Sequence, residues 1–150
     1  MTRLYVLIVG VVAALAMTAA ASSQPLSRTF AIPMTSAEEV PLCAATDNGD
    51  RGVALFKIVD VEAGIVEYKV IATALPGTVV AAHIHGPAPA GGSAGVVQPL
   101  DLTGSQVGVV VAGTFTNPAL VAAALERPDL YYVNVHTTTC PAGAVRGQFA

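Results

Sequence analysis

The chain has 150 residues, 53% of them apolar, 11% charged and 5% aromatic, with a formal net charge of −3. That length fits one domain with a buried core, and apolar content this high with so little net charge excludes a disordered chain. Nucleic acid is disfavoured as a partner, because beyond residue 3 six Lys and Arg stand against ten acids without a basic run that could neutralise several phosphates.

Residues 1–21 are expected to be a secretory signal peptide. Arg3 precedes an apolar stretch from Leu4 to Ala21, which ends in the small residues Ala19, Ala20 and Ala21 that suit a signal peptidase. The alternative is an uncleaved anchor, since about 18 apolar residues approach the roughly 20 that span a bilayer. The Ala-rich end and the Ser-Ser-Gln-Pro that follows favour cleavage. Residues 22–29 then form an N-terminal extension and residues 30–150 the domain. The mature chain carries six basic and ten acidic residues, a net charge of −4. It is expected to be secreted or periplasmic, with no membrane attachment after cleavage.

Export bears on the two cysteines, Cys43 and Cys140. In an oxidising compartment an even count points to a disulfide. A bond closing nearly 100 residues stabilises the fold by roughly 4 kcal/mol in the chain-entropy model. Two lone cysteines so far apart make a poor metal motif and have no CxxC partner for redox work.

The domain opens on a strand in which Phe30, Ile32 and Met34 alternate, with Pro33 expected to mark an edge or an end. In the next strand Val53, Leu55 and Lys57 share one face and Ala54, Phe56 and Ile58 the other, so both faces are expected to be largely covered. Ile65 to Ala74 is half solvated: Val66, Tyr68, Val70 and Ala72 point one way and Glu67, Lys69 and Thr73 the other. The Asp60–Gly64 turn between these two runs is short enough for an antiparallel hairpin. Further strands are expected at Val79–His85, Val96–Leu102, Val107–Thr116, Leu130–Thr138 and Ala144–Phe149. Asn117 and Pro118 supply an N-cap and a first-turn proline for a short helix over Ala119–Leu125, which Pro128 stops. Regular short strands between Gly and Pro turns indicate an all-β sandwich or barrel.

Three segments are more specific than this pattern: SAEEVP at Ser36–Pro41, AAHIHGPAPAGGSAGVVQPL at Ala81–Leu100, and LYYVNVHTTTCPAGAVRGQF at Leu130–Phe149. Together they resemble the CHRD domain, a module named after chordin and found in many secreted microbial proteins. The resemblance covers about Phe30 to Ala150, and it implies an antiparallel β-sandwich outside the cytoplasm. Pattern and resemblance together predict an all-β fold, an antiparallel Greek-key-like β-sandwich of about seven to eight strands with one short helix. Cys140 departs from the family pattern, which usually carries a polar residue there; with Cys43 it implies a disulfide added in this branch. The resemblance brings no settled activity, because function lives in sites rather than folds.

All three histidines, His83, His85 and His136, fall in those segments. On a strand, residues i and i+2 face the same way with Cα atoms roughly 6.6 Å apart, so His83 and His85 can converge on one point. Tyr132, Asn134 and His136 share a face of a second strand. If the two strands are neighbours, three neutral imidazoles can bind copper or zinc and leave a coordination position open for water. Two other readings stand beside this one. The histidines can be structural, His83 or His85 bonding the Gly86–Gly95 loop and His136 ordering the Thr137–Gly143 turn, or they can serve acid–base catalysis. A comparison with Cu/Zn superoxide dismutase fails on count, since that site needs more histidines.

Glu39 and Arg146 are expected to form an ion pair locking the first and last strands. The Gly86–Gly95 loop follows no Rossmann unit and has no P-loop Lys. Thr137–Thr139 lack a nucleophile elbow, and Asp47–Asp50 is too short for a calcium loop. The expectation for function is therefore a non-enzymatic binding or structural module whose partner is an unknown protein or surface ligand, without a catalytic residue. The alternative is a mononuclear copper or zinc protein using the three histidines.

Overall fold

A computed structural model describes residues 28–46, 49–102 and 111–149. The expected signal peptide, the 47–48 part of the Asp47–Asp50 turn and the 107–110 part of the sixth strand lie outside the described residues. Eight strands follow in chain order: β1 (Arg28–Thr35), β2 (Arg51–Asp60), β3 (Ile65–Thr73), β4 (Val79–His85), β5 (Val96–Leu100), β6 (Val111–Thr116), β7 (Tyr132–Thr137) and β8 (Val145–Gln148). One helix, α1 (Pro118–Glu126), separates β6 from β7. The all-β fold with one short helix is thus as the sequence predicts. Among the described residues no helix is long and apolar enough to cross a membrane.

The strands form a single sheet in the order β5-β4-β7-β8-β1-β2-β3-β6, every neighbouring pair antiparallel. The sheet curls until its edges nearly meet: Asn117, directly after β6, donates through Nδ2 to Gln98 Oε1 on β5 at 3.1 Å. The opposed layers are therefore two halves of one nearly closed barrel. Such closure leaves little exposed edge to recruit foreign strands.

Side-chain alternation sorts the sequence between the inside and outside of this barrel. Ile32 and Met34 of β1, Ala54, Phe56 and Ile58 of β2, Val66, Tyr68 and Val70 of β3, Ile84 of β4 and Val133 and Val135 of β7 meet in one apolar core. The outer face of β2 is more open than expected. Lys57 is exposed, while Val53 and Leu55 are half-buried, because no other layer covers that side. Pro33 also departs from expectation: β1 lies inside the sheet between β8 and β2. The proline is tolerated because its missing N–H faces β8, where the pairing with β1 is confined to Thr35 and Arg146. There the Pro33 carbonyl presses on Gly147, and any Cβ at that position would collide with it.

The Asn117 side chain caps α1 by accepting the Leu120 N–H at 3.1 Å, with Pro118 in the first turn. The helix buries Leu120 and Val121 over one end of the barrel, worth about 1.5–3 kcal/mol for each side chain fully buried. Beneath it an apolar cavity of about 50 Å³ is lined by Phe56, Ile84, Phe115, Leu120 and Phe149 among others.

Candidate metal centre

The opposite face of β4, β7 and β8 carries a layer of polar side chains. Register sets this layer: His83 is paired with Asn134, His85 with Tyr132 and Ala81 with His136, while β8 places Arg146 beside Asn134 and Gln148 beside Tyr132. All six residues of β7 are buried. The side chains of Val133 and Val135 enter the core; those of Tyr132, Asn134 and His136 enter the polar layer.

The three histidines come together here. Their rings lie 4.8 to 6.1 Å apart, centroid to centroid, and one ring nitrogen from each falls within 4.8 Å of the others. Both backbone bonds of the structural reading are also made: His85 Nδ1 lies 2.9 Å from the Ala94 carbonyl and His136 Nδ1 lies 3.0 Å from the Pro141 carbonyl. A carbonyl only accepts, so both Nδ1 atoms carry hydrogen, and in the neutral form each ring keeps a lone pair on Nε2. His83 Nδ1 then donates to His136 Nε2 at 3.1 Å. His85 Nε2 is buried with no partner.

Burial and the neighbouring rings favour the neutral form of His83 and of His136. Burial, then the His136 and His85 imidazoles, push the His83 pKa down to about 4. Burial also lowers that of His136, against the pull of its bond to Pro141, with His85 adding to the depression. Neutral imidazole is the form that binds metal. Two ligands on a tetrahedral ion with bonds of about 2.05 Å sit about 3.4 Å apart, close to the 3.1 Å between His83 Nδ1 and His136 Nε2. Were an ion held there, His83 Nδ1 and His136 Nε2 would be two of its ligands and the proton now between them would sit on His83 Nε2 instead. The carbonyls behind His85 and His136 fix ring orientation and tautomer, as partners of metal-bound histidines do.

The sequence did not reveal the support around the rings. His85 is stacked on Tyr132, with centroids 4.9 Å apart and planes 4° from parallel. The Arg146 guanidinium carbon also lies over the Tyr132 ring, 3.4 Å from its centroid, a cation–π contact. The Tyr132 hydroxyl accepts from the Ala94 N–H at 3.1 Å and so fixes the loop whose carbonyl orients His85. Tyr132 was legible as a facing residue, but the two carbonyls belong to loops whose side chains carry no sign of them.

The expected Glu39–Arg146 ion pair is not made as a direct contact. Among the described residues the ion pairs are Lys57–Glu67 and Arg127–Asp129, both exposed. Arg146 donates instead to the Gly92 carbonyl at 2.6 Å and to Gln148 Oε1 at 3.0 Å, Gln148 lying two residues on along the same face of β8. Glu39 is still in the same buried layer. Burial raises its pKa to about 7, while Arg146, the Asn134 side chain and the Val40 N–H draw it down and Glu38 raises it. The expected disulfide is present, joining Cys43 and Cys140 across a separation of 97 residues.

Neither a curated protein nor a solved structure matches the chain. A family model described as the CHRD domain matches residues 30–149, which include all three histidines, both cysteines, Glu39 and Arg146. The chain belongs to the CHRD domain family.

Proposed function

We propose that this chain is an exported, non-enzymatic module that holds one copper or zinc ion on His83, His85 and His136. The observation that carries the reading is the buried Nε2 of His85, a lone pair without a partner beside two further imidazoles. A buried acceptor left bare costs about 1–3 kcal/mol, and a metal ion would satisfy it together with the other two rings. Imidazole ligands suit both ions. Family membership supports a binding or structural role over catalysis. The disulfide and the apolar N-terminal stretch support export.

Competition with a chromophoric zinc chelator tests this on the oxidised protein. One equivalent of zinc is expected to bind, and His85→Ala should weaken binding by more than about 100-fold, beyond what loss of an outer partner costs. Circular dichroism checks that the variant stays folded. No zinc binding at micromolar metal by the folded wild type would remove the proposal.

A further inference from the structure

We infer that the Cys43–Cys140 disulfide positions His136 and thereby sets the affinity of the three-histidine site; this rests on the metal-binding reading above. The connection is short. His136 Nδ1–H donates to the carbonyl of Pro141, the residue after Cys140. That turn is folded around Cys140, whose N–H donates to Thr137 Oγ1 at 3.0 Å and whose carbonyl accepts the N–H groups of Thr137 and Gly143, each at 3.2 Å. The sulfur bond anchors the turn to the segment after Glu39.

Two observations separate this role from general stapling. Cys140 is 1% exposed yet stands outside the apolar core cluster, and Leu42, next to Cys43, is 66% exposed. The bond therefore sits at the turn behind the histidines, apart from the main apolar cluster of the barrel. The second is an asymmetry between the two supporting carbonyls. Ala94, behind His85, is held by Tyr132, and its loop by the bond from Arg146 to Gly92. Pro141, behind His136, has the disulfide beside it. The segment that leads to Cys43 also reaches the His85 loop, where the exposed Ser93 hydroxyl donates to the Val40 carbonyl at 3.0 Å, but Ala94 keeps its own bond to Tyr132, so cutting the disulfide loosens His136 more than His85. Reduction by a dithiol, which delivers two electrons and two protons to the sulfur pair and itself closes to a disulfide, makes the site a weaker one.

The test is a cycle of zinc affinities for oxidised wild type, Cys43→Ser/Cys140→Ser, His136→Ala and the triple variant. Losing an outer partner costs 10–100-fold in affinity, so the double serine variant should fall by about that factor. In the His136→Ala background, removing the disulfide should change the residual affinity by less than about threefold. Affinity within about twofold of wild type for the double serine variant overturns the inference, and so does an equal loss in both backgrounds, which marks a staple for the whole domain. If the serine variant does not fold, the wild-type disulfide is equilibrated with glutathione at fixed free zinc. Coupling of 10–100-fold is about 30–60 mV towards harder reduction, and no shift overturns the inference. If folded wild type binds no zinc, the metal reading fails first. The positioning role then stands or falls on nitrogen NMR of His136, whose Nδ1–H tautomer should lose population when the disulfide is removed.

Discussion

Replacing Glu39 with Gln asks whether burial or attraction to Arg146 governs this carboxyl. Glu39 is 3% exposed with Oε1 unpartnered, and its pKa rises from 4.5 to about 7, burial being the largest cause. Between those values the folded protein keeps a proton that the unfolded chain has lost. The stability Glu39 contributes is therefore full below pH 4.5 and lost as pH rises through 7. At about 1.4 kcal/mol per pH unit, the gap amounts to about 3 kcal/mol by pH 8. His83 acts with the opposite sign: its lowered pKa gives stability that is present above 6.5 and lost as pH falls to about 4. Comparing Glu39→Gln with wild type cancels the histidine contribution. Urea unfolding with the disulfide intact should show the two within about 0.5 kcal/mol at pH 4.5, and the variant more stable by about 1–3 kcal/mol at pH 8. A variant less stable than wild type at pH 8 would refute the argument, because the charge would then be worth more beside Arg146 than its burial costs.

Two further substitutions test the supports of the fold. Gly143 has φ +144°, and an added Cβ would meet the Glu39 carboxylate; Gly143→Ala should cost about 1–3 kcal/mol in chemical denaturation, and a neutral result would show that the carboxylate can move aside. Asn117→Ala removes both the α1 cap and the bond to Gln98; thermal unfolding should report a loss of about 1–2 kcal/mol, and an unchanged midpoint would deny the cap its role.

The fold was legible wherever alternation was strict. Val66, Tyr68, Val70 and Ala72 point inward as their spacing requires, and Asn117-Pro118 opens the helix where it should. Pro33 misled because a single residue cannot show which neighbour its missing N–H would have faced. Lys57 misled less, since its charge already marked the face that stays open. At the site, the histidine spacing gave the convergence of His83 and His85, while their meeting with His136 depended on β4 and β7 pairing, which sequence could only suppose. The Glu39–Arg146 expectation had the right neighbourhood and the wrong contact: the guanidinium has closer acceptors in Gly92 and Gln148. Backbone carbonyls such as those of Ala94 and Pro141 were invisible, since any residue supplies one.

β7 presents valines to the barrel interior and Tyr132, Asn134 and His136 to the other side, buried throughout. A slip of one residue against its neighbours would drive an imidazole and an amide into hydrocarbon and turn aliphatic groups toward the arginine. Misregistered chains are thus penalised on both surfaces at once, so a molecule that has packed its greasy centre has, by the same step, set its nitrogen donors in their proper alignment.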